Sequence, residues 1–211
     1  MLISKEGRIF VIPLLVLTVL FWFFYIMQQI NILYPVLLSV LFIFCLNFFR
    51  DPKRPIPKGV NQIVSPADGK IVRLDSIVDD EVGNSMVISI FLNIFNVHVN
   101  RMPIDGKFYD IEYNRGKFLL AFQHNASDEN EKNIIKLKTK IGNIKIVQIA
   151  GLLARRIICY AEKGNSMNIG DRLGFMRFGS RIDIILPDNI KLNVKKGDKV
   201  IGNRTIIGTF K

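Results

Sequence analysis

The residues with the most pointed chemistry lie in one run, Arg177-Phe178-Gly179-Ser180-Arg181-Ile182-Asp183-Ile184-Ile185-Leu186-Pro187. Glycine has no Cβ, so its carbonyl can be approached closely and its backbone can hold strained dihedrals. Ser180 sets a hydroxyl beside the Gly179 carbonyl. In a strained turn, Ser180 Oγ can attack that carbonyl in an N→O acyl shift, provided that a base takes the hydroxyl proton. Gly-Ser is also a common turn pair, so the surroundings must decide. The chain has two histidines to supply the base. His98, in Phe95-Asn96-Val97-His98-Val99-Asn100-Arg101-Met102-Pro103, stands beside a turn, and imidazole is well matched to proton transfer near neutral pH. His124 adjoins the acidic insertion Ser127-Asp128-Glu129-Asn130-Glu131 and reads as part of a solvated loop. Asp68, in Ser65-Pro66-Ala67-Asp68-Gly69, is either half of an Asp-Gly turn or the carboxylate that orients His98 while Ser180 attacks.

The elements that must position these residues fall into three parts. No charge occurs between Ile9 and Phe49. A membrane span needs roughly 20 apolar residues, so two spans fit, joined where Met27-Gln28-Gln29-Ile30-Asn31 interrupts the apolar run. Trp22, Tyr25 and Tyr34 surround that interruption, as aromatic residues do at an interface. A cleaved signal peptide would have a shorter apolar core and a small-residue cleavage site, a pattern that is absent. Lys5 and Arg8 precede the first span, and Arg50, Lys53 and Arg54 follow the second. By the positive-inside rule both termini and the following domain face the cytoplasm, at the cell (inner) membrane. Residues 1–50 are thus expected as a two-helix membrane anchor, and 51–59, with Pro52, Pro55 and Pro57, as a stiff linker.

Residues 60–211 are expected to form one domain, mainly β. Short runs rich in Ile and Val at 86–92, 107–113, 134–138, 144–149, 156–161, 181–186 and 199–210 are punctuated by turn residues. Asp105-Gly106 and Gly142-Asn143 have the composition of hairpin turns. The turn-plus-strand segments Ser65-Pro66-Ala67-Asp68-Gly69-Lys70-Ile71-Val72 and Val194-Lys195-Lys196-Gly197-Asp198-Lys199-Val200-Ile201-Gly202 resemble elements of biotinyl/lipoyl-type sandwiches, a flattened β-barrel. Cys45 and Cys159 have no evident disulfide partner and suit a reducing compartment. The net charge of +11 falls almost wholly after residue 50. It is spread over many segments without a nucleic-acid-binding motif, and it suits a surface facing an anionic membrane.

The run Ile149-Ala150-Gly151-Leu152-Leu153-Ala154-Arg155-Arg156-Ile157, with Gly170-Asp171-Arg172-Leu173-Gly174-Phe175-Met176 leading into Arg177 to Pro187, resembles the short-form phosphatidylserine decarboxylase proenzymes. The resemblance extends back through Ser65-Pro66-Ala67-Asp68-Gly69-Lys70 to Phe48-Phe49-Arg50-Asp51-Pro52. It implies autocatalytic serinolysis at Gly179-Ser180. The ester would undergo β-elimination, and the dehydroalanine would hydrolyse to a pyruvoyl group with loss of ammonia. A larger chain (1–179) and a smaller chain (180–211) would then form a heterodimer, with any higher oligomer left open. The covalent pyruvate from Ser180 would form a Schiff base with phosphatidylserine and act as an electron sink as CO2 leaves, giving phosphatidylethanolamine with no metal. Ser180 and Asp68 match the family motif. At the histidine the longer relatives have His-Arg-Val-His-Met-Pro, whereas Arg101 stands here where their second histidine falls, so His98 serves both steps or another group assists one. Arg155, Arg156, Arg177 and Arg181 are candidates for the lipid phosphate, since guanidinium suits phosphate oxygens. The main alternative is a membrane-anchored, lipoyl-like adaptor without chemistry, in which Gly179–Ser180 stays intact. A zinc peptidase is disfavoured by the shortage of histidine ligands, and a decarboxylase for soluble amino acids would have no use for the anchor.

Overall fold

The computed structural model describes residues 2–116, 130–151, 157–177 and 179–210. It divides into two compact units, Met1–Lys53 and Arg54–Lys211.

The first unit is a helical hairpin. Helix α1, Lys5–Ile26, begins where Ser4 Oγ accepts the Gly7 N–H at 3.2 Å, and Glu6 in the first turn complements the positive end of the helix dipole. Met27 to Ile32 break the helical run, and Asn31 Oδ1 then accepts the Leu33 N–H at 2.9 Å as α2, Leu33–Phe48, starts. Antiparallel pairing is fixed at one end by Ser4 N–H donating to the Phe49 carbonyl at 2.8 Å. At the other end, Trp22 Nε1 donates to Ser39 Oγ at 3.0 Å. Gly7 allows this approach, since a Cβ there would lie 2.3 Å from that of Phe49. Exposed Ile9, Val16, Leu33, Leu37 and Ile43 leave the hairpin apolar on its outside. At 1.5 Å per residue, α1 is about 33 Å long and α2 about 24 Å, against a hydrocarbon core of about 30 Å. Helix α1 is thus long and apolar enough to cross a membrane, while α2, at 16 residues, is shorter than the second span expected from the sequence.

The second unit is all antiparallel β. In chain order its strands are β1 Gln62–Val64, β2 Gly69–Asp79, β3 Gly83–Leu92, β4 Val99–Arg101, β5 Gly106–Asn114, β6 Lys132–Thr139 and β7 Gly142–Ile149. Then follow β8 Ile157–Cys159, β9 Ser166–Met167, β10 Arg172–Met176, β11 Ser180–Pro187, β12 Lys191–Leu192, β13 Lys199–Val200 and β14 Ile206–Thr209. An eight-stranded sheet runs β13-β2-β3-β11-β7-β6-β5-β9, with small sheets β4-β10-β8 and β1-β14-β12. Alternation sends Ile88, Ile90, Leu92, Ile135, Leu137, Ile144, Ile146, Ile182, Ile184 and Leu186 into one core. Met102, Leu173 and Met176 enter it beside one small sheet, and Ile63 and Ile207 from the other.

A mostly β domain behind an apolar N-terminal helix is the fold class the sequence implies, with three local differences. The run 199–210 is two strands: β13 pairs with β2, and β14 lies between β1 and β12. Asp105-Gly106 is no hairpin turn, since β5 pairs with β6 and β9 rather than β4. Strand β10 lacks clean alternation because Gly174 interrupts it, and only glycine fits: a Cβ would lie 2.2 Å from the Ile158 carbonyl and 2.8 Å from Gln148 Nε2.

The outer face of the large sheet is charged. Lys136 bridges Glu81, Asp110 and Glu112, and Lys145 holds Asp79. Tyr109 donates its hydroxyl to Glu81 at 2.6 Å; burial, with the carboxylate beside it, pushes that phenol up to about 12. The folded chain therefore favours the neutral phenol. Its contribution to stability is complete below the unfolded value of about 10 and is lost as pH rises through about 12. An absorbance titration at 295 nm should show late tyrosine ionisation from Tyr109 and from Tyr113, which Glu131 holds up, and Tyr109→Phe should delete the step near pH 12.

Candidate active site

Ser180 is the first residue of β11, the strand held between β3 and β7, and it pairs with Leu92. It shares the inner face with Ile182 and Ile184. It is fully buried, and its Oγ has no hydrogen-bond partner among the described residues. A buried hydroxyl left unmade costs about 1–3 kcal/mol, which calls for an explanation. Gly179 just before it has φ +64, a conformation that side-chain-bearing residues rarely adopt, with no atom of the described residues within 4 Å of where a Cβ would sit. The requirement for glycine here is thus set by the backbone and not by space. A glycine in the left-handed region and a buried hydroxyl without a partner among the described residues are adjacent at the head of β11.

His98 is buried at the entry to β4. Its Nδ1 lies 2.9 Å from the Asn96 carbonyl, an oxygen that only accepts, so Nδ1 carries the proton. In the neutral ring Nε2 then holds the lone pair of a base. Packing against Phe175, with centroids 6.4 Å apart, fixes the ring. Met176 N–H donates to the His98 carbonyl at 3.2 Å, and Met176 stands four residues before Ser180. Four residues span at most about 14 Å, so β10 ties the histidine segment close to the serine.

The sequence offers Asp68 as the group that orients His98; in the structure His98 Nδ1 meets the Asn96 carbonyl. The Asp68 carboxylate is taken up by Arg54, with Nη2 to Oδ2 at 2.8 Å and a second close contact from Nη1 to Oδ1. It also accepts the Gly202 N–H at 2.9 Å. Arg54 is the better partner because a guanidinium matches both carboxylate oxygens at once. Arg181 likewise has a partner within the fold. Its side chain lies on the face of β11 opposite Ser180, 1% exposed, and pairs in bidentate fashion with Asp183 at 2.9 Å through both Nε and Nη2. Burial pushes the Asp183 carboxyl up, while Arg181 pulls it down. Arg177 is half-buried. Arg155, Arg156 and His124 lie outside the described residues.

The sequence reading passed over Asn96, Arg54 and three buried carboxamides, Asn100, Asn133 and Gln148. For two of these a signal existed. Gln148 has the parity of Ile144 and Ile146, and Asn133 that of Ile135 and Leu137, so both are polar residues at inward positions.

Comparison with known proteins bears on what these residues belong to. Residues 41–208 match the family described as phosphatidylserine decarboxylase. A phosphatidylserine decarboxylase proenzyme of Aromatoleum aromaticum is 49% identical over 170 residues, covering 80% of this chain and 79% of the relative. Those of Nitrosomonas eutropha and Chlorobaculum tepidum are 46% and 44% identical, covering 79% of this chain and 78% and 77% of the relatives. The chain belongs to the phosphatidylserine decarboxylase family. Ser180, Gly179, His98, Asp68 and Arg54 all fall within that matched region.

Proposed function

We propose that this protein decarboxylates phosphatidylserine to phosphatidylethanolamine, using a pyruvoyl group generated from Ser180 by self-cleavage at Gly179–Ser180. One observation carries the reading: Ser180 Oγ is buried, without a hydrogen-bond partner among the described residues, directly after a glycine at φ +64. His98 Nε2 takes the Ser180 proton as Oγ adds to the Gly179 carbonyl carbon. The Asn96 carbonyl holds the productive tautomer. Asp68, locked by Arg54, fixes the turn before β2. The pyruvoyl group supplies an electrophilic ketone that binds the substrate amine and accepts electrons as CO2 departs. His98 then returns a proton to the substrate carbon, and the apolar core around Leu92 and Ile182 excludes water. Arg155, Arg156 and Arg177 meet the lipid phosphate.

Cleavage at residue 179 leaves the fold's pairings intact. The smaller chain, 180–211, would supply β11 to β14, each paired within sheets that also draw on the larger chain. Such a heterodimer holds together through ladders rather than a covalent bond. Helix α1 anchors it, and the positive flanks at Lys5, Arg8, Arg50 and Lys53 favour the cytoplasmic face of the inner membrane.

The test is intact mass spectrometry of the full chain purified in lipid nanodiscs. Two species dividing between Gly179 and Ser180, the smaller lacking an amino terminus and reacting with a carbonyl probe, are expected. Phosphatidylserine vesicles should then lose carboxyl label as CO2. A single uncut chain in a lipid environment would overturn the reading in favour of an adaptor without chemistry.

A further inference from the structure

Three carboxamides cross the core in a single direction. Asn133 Nδ2 donates to Gln148 Oε1 at 3.2 Å, and Gln148 Nε2 donates to Asn100 Oδ1 at 2.9 Å. Asn133 is 3% exposed, and Gln148 and Asn100 are fully buried. At the end of the chain, Asn100 Nδ2 has no hydrogen-bond partner among the described residues. Asn133 and Gln148 belong to the large sheet that carries Ser180. Asn100 belongs to β4, which His98 enters. Gly174, opposite Asn100 on β10, leaves room for the crossing, since its Cβ would strike Gln148 Nε2 at 2.8 Å.

Register brings the middle of this chain beside the strand that carries Ser180. Gln148 pairs with Ile182, two residues along from Ser180 on the same inward face of β11. Asn100, which Gln148 meets, is two residues along the sequence from His98. Each amide in the series polarises the next, which strengthens the final N–H as a donor. A buried donor left unmade costs about 1–3 kcal/mol, and an apolar residue would avoid that cost.

Building on the self-cleavage reading above, we propose that Asn100 Nδ2–H donates to the oxyanion formed at the Gly179 carbonyl during self-cleavage. Ser180 Oγ–H gives its proton to the base as the Oγ–C bond forms, and the carbonyl π pair moves onto oxygen, where Asn100 meets it. Collapse of that oxyanion expels the Ser180 nitrogen, which takes up the proton, and leaves the ester. A donor uncommitted in the uncut chain and engaged only as charge develops stabilises the transition state selectively.

The test follows cutting of newly synthesised full chain in cell-free translation with lipid nanodiscs, comparing wild type with Asn100→Asp and Asn100→Leu. Asp keeps the acceptor for Gln148 and loses the donor; Leu is a neutral substitute of similar size. Cutting should slow by about 10²–10³-fold in both, the usual effect of losing one oxyanion donor. Hydroxylamine, which cleaves the ester, should release no extra fragment, because the block precedes ester formation. Thermal unfolding of each variant checks that it is folded, and a folded variant of either kind suffices. Wild-type rates in a folded variant, or an ester that builds up for hydroxylamine to cleave, would overturn the proposal. Failure of wild type to cut at all would instead overturn the function on which it rests.

Discussion

Ser180→Ala is expected to yield one uncut chain of about 24.1 kDa with no decarboxylase activity. The substitution removes one oxygen from a fully buried site, and that oxygen makes no hydrogen bond among the described residues. Folding should therefore be unharmed and even slightly favoured, since an unmade buried hydroxyl costs about 1–3 kcal/mol. The combination is diagnostic. A structural serine would lose stability on truncation, whereas this one should lose all chemistry while its melting temperature holds or rises. Both effects are read from the same purified sample, by intact mass and by thermal unfolding. A variant that is still cut between 179 and 180 would remove Ser180 from the reaction.

Gly179 and Ser180 stand out in the sequence, while the contacts made by His98 and Asp68 do not, for a physical reason. Gly-Ser alone is a common turn pair, and what marks it is the run of residue types on either side, which one dimension preserves. Strands β3, β5, β6, β7 and β11 were legible too, because alternation of Ile and Val with polar residues follows from burying one face. Arg54 and Asp68 meet through a loop, and no periodicity records such a contact. The Arg54 partner of Asp68 was therefore invisible to a reading of the sequence. Asn96 acts through its main-chain carbonyl, which every residue type possesses, so no side-chain pattern could reveal it. Asn100 is plainer still: in one dimension it is a polar residue beside a turn, and its meaning appears only when Gln148 reaches it from another sheet.

Asp183→Ala is expected to cost the fold about 3–5 kcal/mol, the usual effect of stranding one member of a buried ion pair. Arg181 is 1% exposed and Asp183 4%, and both guanidinium contacts to the carboxylate are 2.9 Å. Removing the carboxylate leaves a positive charge in a place that water does not reach. At roughly 2–4 °C per kcal/mol for a chain of this size, the melting temperature should fall by about 10 °C. The double variant Arg181→Met with Asp183→Leu removes both charges and should recover most of that loss, since buried pairs are often replaceable by apolar residues. The same pair of measurements separates two roles for Arg181. An arginine that grips a lipid phosphate would raise KM when replaced and leave the melting temperature alone. The bidentate pairing predicts the reverse for Arg181→Met alone: a large fall in stability, with the KM of whatever folded enzyme remains little changed. Arg181 is thus expected to hold β11 in place through its pairing with Asp183 rather than to grip a phosphate.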